Sequence, residues 1–248
     1  MTTKKSILDR WEISEEEFTE LIDQNPSLRG MNLGYIAEKK FHDKFLDHPE
    51  ITEKGKDDDH DRTRKGDRRI VYKGHEFVVE VKSLQTNMCK DLGDGTWKGK
   101  SQVDGSDRRI VKFGDGTELN TTLLLRGEFD MLAVNCFAFG EEWKFAFAKN
   151  KDLPTSTYKK YTEEQRQQLI ASLVPVTWPP EAPFTEDPFQ ILDELIQEKA
   201  QPKPEVIGKE VVEVKTVDVV SLDTTGQVVD EEKEVKVKTG DVIKAPKD

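Results

Sequence analysis

The first apolar rhythm along the chain is helical. "ISEEEFTELIDQNP" places Phe18, Leu21 and Ile22 at helical spacing behind a Ser14-x-x-Glu17 capping box, so a short helix is predicted to end before Pro26. In "NLGYIAEKKFHDKFL" the stripe Leu33, Ala37, Phe41 and Phe45, with Ile36 beside it, predicts a second amphipathic helix over 32–46. Glu38 flanks that stripe. The acidic "KDDDHD" that follows reads as an exposed loop.

From residue 67 the period shortens to two. "DRRIVY", a Lys73-Gly74 turn and "HEFVVEVKSL" carry a hairpin signal. The Gly-rich 91–106 reads as a loop, "NTTLLL" as a short helix, and "FDMLAVNCF" and "WKFAFA" as two more strands joined at Gly140. Thr162 caps a helix from Glu163, and another follows Asp187-Pro188 with Phe189, Leu192 and Leu195 on one face. Together these elements predict an α/β domain over 1–200, with a mixed, mostly antiparallel central sheet flanked by helices. Beyond Ala200 the aromatics stop and Val, Lys and Glu dominate. That composition predicts a linker and a charged, disordered or marginally folded tail over 201–248.

Bulk composition narrows the setting. With 35% hydrophobic residues in 248, the chain can bury one good-sized core. Its two cysteines, Cys89 and Cys136, cannot build a disulfide framework, and Cys136 inside "MLAVNCFAF" reads as a small buried hydrophobe. A reducing cytoplasm fits best. The N-terminal stretch has no apolar signal core and no run approaches a membrane span, so neither secretion nor membrane insertion is expected. A net charge of -11 counts against a nucleic-acid partner, because phosphates are contacted mainly by Lys and Arg. The distribution weakens that objection: only the block 61–150 carries more basic than acidic side chains.

That block also holds the candidate chemistry. Glu-x-Lys occurs six times, beginning at Glu38, Glu80, Glu142, Glu213, Glu231 and Glu234, so the tripeptide alone means little. At Glu80 the context adds a geometric argument. A turn at Lys73-Gly74 sets Tyr72 against His75, and stepping outward along both strands brings Asp67 opposite Glu80. Directly opposed side chains share a face with Cβ atoms about 5 Å apart, and Lys82 shares it too because the strand period is two. Facing carboxylates repel unless a cation joins them. Oxygen ligands with room for water suit Mg²⁺, with Mn²⁺ as a substitute; no Cys or His cluster at zinc spacing exists, and the four histidines are scattered. Lys82 is then placed to orient or deprotonate an attacking water, or to stabilise transition-state charge. This is equipment for phosphodiester hydrolysis.

Asp67, twelve intervening residues, and Glu80-Val81-Lys82 on a hydrophobic strand resemble the PD-(D/E)XK nuclease superfamily. The likeness covers the helix at 32–46 through the strand near 130. It implies a restriction-endonuclease-like fold and a Mg²⁺-dependent endodeoxyribonuclease, in a restriction-like or phage-defence setting. The catalytic set would be Asp67, Glu80 and Lys82, with Asp67, Glu80 and Glu38 as metal ligands. It also implies a helix and a further strand after Glu-x-Lys, which "NTTLLLRGEFDMLAVNCF" can supply. Two departures stand out: Gly66 rather than proline precedes Asp67, and the connection 85–106 is long.

Each sharp reading has a plainer one beside it. Asp67 can salt-bridge Arg68, Arg69 or Lys82 at a sheet edge, and Glu38 can simply be solvated. Arg62, Arg64, Lys65, Arg68, Arg69, Arg108 and Arg109 can contact DNA phosphates or pair with neighbouring Asp residues. RNA remains an alternative substrate, and a non-catalytic nucleic-acid-binding protein that keeps the fold is the alternative function. A homodimer, or a partner recruited through the C-terminal tail, is compatible with the sequence.

Overall fold

The computed structural model describes residues 5–55, 66–200, 212–222 and 228–238, the last two as backbone. The chain divides into two compact units, Met1–Glu198 and Lys199–Asp248.

The first unit opens with three helices, α1 (Ile7–Trp11), α2 (Glu15–Gln24) and α3 (Pro26–Phe45). Ser14 forms the expected capping box with Glu17 at the start of α2. Pro26 does end α2, but it also begins α3, because a proline at the first helical position gives up no hydrogen bond. The second helix is therefore six residues longer at its N-terminus than the apolar stripe suggests. Only Ala37 and Phe41 of α3 are fully buried.

Three strands follow: β1 (Ile51–Gly55), β2 (Arg68–Tyr72) and β3 (His75–Ser83). β2 and β3 pair antiparallel from Tyr72↔His75 to Arg68↔Val79, the register set by the Lys73-Gly74 turn. The chain then leaves the sheet through β4 (Lys90–Gly93), β5 (Thr96–Gln102), β6 (Asp104–Lys112) and β7 (Glu118–Leu123). It returns as β8 (Met131–Asn135), parallel to β3, and closes with β9 (Phe145–Lys149), antiparallel to β8. The result is a mixed five-stranded sheet of order β1-β2-β3-β8-β9. A parallel pair requires a long crossover, which accounts for the length of the connection after Glu-x-Lys. Here strands build much of that crossover.

The Gly-rich stretch expected as a loop contains β4 and β5, and the expected helix at "NTTLLL" lies on β7 and just beyond it. Both corrections have a packing cause. In β5 the inward positions are Gly99 and Ser101, both buried and too small to register as an apolar alternation. A Cβ at Gly99 would lie 2.9 Å from the Phe139 ring and 3.1 Å from the Cys89 sulfur, so the small residue is what lets β5 approach. In β7, Thr121 and Leu123 point inward with period two against β6, and of the leucine run only Leu123 belongs to the strand, Leu124 and Leu125 following it.

β5 also pairs with β10 (Leu173–Trp178), making a three-stranded sheet β10-β5-β4. α4 (Glu163–Gln168) begins at its Thr162 capping box, and α5 (Pro188–Ala200) buries Ile191, Leu192 and Leu195. The central sheet has a core on each face. Ala37, Phe41, Phe77, Val79, Val81, Met131, Ala133 and the α5 leucines form one. Leu132, Val134, Cys136, Phe139, Val174 and Val176 form the other. Alternation along β3 therefore sends Val79 and Val81 to the α3 side and Glu80 and Lys82 to the opposite side.

In the second unit, β11 (Val212–Leu222) and β12 (Val228–Lys238) pair antiparallel from Val212↔Lys238 to Leu222↔Val228. The recurring valines favour extended strands there, and an isolated two-stranded hairpin is itself at most marginally stable. Arg62, Arg64, Lys65 and the "KDDDHD" loop lie outside the described residues.

Candidate functional site

The site forms where β3 outruns its neighbour β2. The β2–β3 ladder ends at Arg68↔Val79, which leaves the Val81 N–H facing no strand. Gly66 adopts φ +84, and a Cβ there would lie 2.2 Å from Val78 Cγ1, so glycine is needed to turn the chain at this point. Asp67 follows. Its N–H donates to the Val79 carbonyl at 3.0 Å, and its Oδ2 accepts the Val81 N–H at 2.7 Å. On the other edge of β3, the Asp130 Oδ2 accepts the Val78 N–H at 2.8 Å. Two aspartates thus clamp the backbone on either side of the segment that carries Glu80.

Glu80 is only 7% exposed. Its Oε1 receives the Lys82 ammonium at 2.8 Å. Burial pushes the Glu80 carboxyl up to about 7; Lys82 opposes the shift, while the charges of Asp67 and Glu128 add to it. Burial works against the Lys82 ammonium, yet the charges of Glu80, Asp67 and Asp104 outweigh it and hold its pKa above the ordinary lysine value. Glu80 and Lys82 are thus in direct contact, and the charge of Asp67 bears on both.

Glu38 goes elsewhere. Its carboxylate pairs with Arg68 Nη2 at 3.6 Å, both side chains being 13% exposed. The cause is strand alternation: Arg68 pairs with Val79 and shares its face toward α3, opposite to Glu80. Among the described residues no three Asp, Glu, His or Cys side chains converge closely enough to hold a metal ion. Of the three residues expected as metal ligands, Glu38 pairs with Arg68, while the charge of Asp67 bears on Glu80.

Two acids that sequence patterns did not single out border the site. Glu128 receives Arg109 through both guanidinium Nη atoms and accepts the Leu125 N–H at 2.7 Å. Asp104, at the start of β6, accepts from Gln102 Nε2 and Ser172 Oγ, each at 3.1 Å. Glu128 and Asp104 thus add negative charge that bears on Glu80 and Lys82 respectively, with Arg109 paired to Glu128.

The proposed nucleic-acid contacts separate by environment. Arg69 donates to Glu76 at 3.0 Å, Arg68 pairs with Glu38 and Arg109 with Glu128. Arg108 is exposed on β6. Among the described residues no helix is long and apolar enough to cross a membrane. Comparison of the chain with protein-family models, curated proteins and solved structures finds no match.

Proposed function

We propose that the chain is a Mg²⁺-dependent endodeoxyribonuclease with a restriction-endonuclease-like fold, acting in the cytoplasm. The observation that carries this reading is the buried Glu80–Lys82 pair on one strand face, with Asp67 acting on both. The helix α3, the meander β1–β2–β3 and the parallel strand β8 support this reading, while the helix the resemblance implies after Glu-x-Lys is replaced by strands. The strand-built crossover is a departure from the resemblance.

The donor set fits the ion. Mg²⁺ is bound through one or two carboxylates and keeps several waters. Asp67 commits one oxygen to Val81 N–H, and Glu80 has a carboxyl that burial and neighbouring negative charge disfavour as an anion until a cation arrives. A divalent ion held by Asp67 and Glu80 would supply Lewis-acid activation of water and neutralise charge at the scissile phosphate.

Lys82 does the rest. Its raised pKa keeps it an ammonium at neutral pH, so it donates hydrogen bonds and positive charge and does not remove a proton. Its place beside Glu80 suits it to hold an attacking water and to stabilise charge growing on the phosphate oxygens. The Asp67 and Asp130 clamps fix β3 and so limit how far both side chains can move.

A non-catalytic nucleic-acid-binding role is the second reading. It is favoured by the structural partners that Asp67 and Glu80 already have, Val81 N–H and Lys82. Plasmid DNA incubated with the protein and Mg²⁺ separates the two. Cutting by the wild type that is lost in Glu80→Ala and Lys82→Ala supports hydrolysis; equal cutting by all three assigns the activity to a contaminant. An RNA substrate in parallel tests the choice of nucleic acid.

A further inference from the structure

The ribbon β6–β7 has two unlike faces. Inward, Val111, Phe113 and Leu123 pack with Leu169 in a small core of their own, and the Thr121 hydroxyl lies 3.2 Å from the Tyr161 hydroxyl. Outward, Arg108, Ile110 and Lys112 alternate along β6, and Glu118 and Asn120 stand across from them on β7. Ile110 is directly opposite Asn120 and is 63% exposed, a larger fraction than any other exposed large hydrophobic among the described residues. An isoleucine between two cations on an otherwise polar face contributes nothing to the core beneath it.

The base of this ribbon is tied to the catalytic site. Arg109, one residue from Arg108 but on the inner face, is held by Glu128, whose charge reaches Glu80. Asp104 at the other strand position acts on Lys82. The Arg109–Glu128 pair thus joins β6 to the turn that leads into β8, the strand beside β3.

We propose that the outer face of β6–β7 is the sequence-reading element of the nuclease and enters the DNA major groove, with Arg108, Ile110 and Asn120 contacting base edges. This rests on the DNA-nuclease reading of the adjacent site. A two-stranded ribbon is narrow enough for the major groove. Outward side chains two residues apart are separated by about 7 Å, about two base-pair steps of 3.4 Å. The three side chains cover distinct chemistry: Arg108 can bind guanine O6 and N7, Asn120 adenine N6 and N7, and Ile110 the thymine methyl.

Local charge agrees with this assignment. Among the described residues Arg108 has no hydrogen-bond or ion-pair partner, so its guanidinium is available to the groove. The acids nearby are engaged: Glu118 with Lys112 at 3.0 Å, and Asp115 with the Thr117 N–H and hydroxyl inside the turn. The separate core under the ribbon lets the outer face change without disturbing the catalytic strand.

The test is selection of bound duplexes from a pool with a randomised 20-base-pair core, using Ca²⁺ to permit binding without cutting, followed by Mg²⁺ cleavage of the enriched sequence. The expected result is an enriched site in which Arg108→Ala relaxes one guanine position and Asn120→Ala one adenine position, each on the order of tenfold or more. A wild type without base preference, or Arg108→Ala and Asn120→Ala variants that enrich the unaltered site, overturns the ribbon proposal. Cleavage reports separately: an enriched site that is bound and never cut overturns the nuclease reading and leaves the ribbon assignment standing.

Discussion

The Asp67 carboxylate accepts the Val81 N–H at 2.7 Å, across the point where β2 has ended and β3 continues. One side chain thereby completes a sheet edge and stands next to Glu80. Structural and chemical roles of Asp67 are separable, because one needs an acceptor and the other needs a charge.

Asp67→Asn keeps an oxygen for Val81 and removes the charge. It should leave stability nearly unchanged while weakening Mg²⁺ binding and abolishing cutting. Asp67→Ala removes both and leaves a part-buried donor unsatisfied, at a cost of about 1–3 kcal/mol. Urea denaturation and Mg²⁺ calorimetry on the two variants check this; equal destabilisation of both would show that charge, not the acceptor, holds the edge.

On the proposed reading, proton and metal compete at Glu80. With its carboxyl pushed up to about 7, the group is mostly neutral below that pH and mostly a carboxylate above it. Mg²⁺ affinity should therefore rise with pH, by up to about tenfold per unit below 7, and level off above. Stability without metal runs the other way. A carboxyl raised above its ordinary 4.5 favours the fold below that value and loses the contribution as pH rises through about 7. The melting shift produced by Mg²⁺ should thus be larger at pH 8 than at pH 6; the opposite order would contradict the assignment.

Much of this geometry was legible in the sequence. The Lys73-Gly74 turn fixes a register, and a register fixes which residues face each other, so Asp67, Glu80 and Lys82 could be brought together on paper. Glu38 could not be placed, because the face that α3 covers depends on tertiary packing. The strands around Gly99 were hidden for a related reason: burial there is achieved with glycine and serine, which carry no apolar signature. Glu128 and Asp104 escaped because their proximity arises from the long crossover between β3 and β8, whose path no local pattern encodes.

Arg108 and Arg109 should behave as opposites despite adjacency. Arg109→Met strands the Glu128 carboxylate, which is 13% exposed, and should cost about 3 kcal/mol in urea denaturation. Adding Glu128→Leu should recover most of that loss. Arg108→Ala should shift stability by less than about 0.5 kcal/mol, as for an exposed side chain without a structural partner. A large loss in Arg108→Ala would mean that the outer face of the ribbon is structural.

Gly66→Ala tests how closely the turn sets the site. The positive φ costs a side chain about 1–2 kcal/mol, and Val78 must also move to admit the Cβ. Both stability and cutting should fall, with cutting falling further because Asp67 is displaced. An unchanged cleavage rate would show that Asp67 needs no such placement.

The central claim is that Asp67 and Glu80 share one divalent ion. Anomalous diffraction from crystals grown with Mn²⁺ tests it without reference to activity. The account predicts a single peak in bonding contact with a carboxylate oxygen of each residue, about 2 Å away. A peak on Glu128 or Asp104 that leaves Asp67 and Glu80 untouched, or no peak at saturating Mn²⁺, would contradict it.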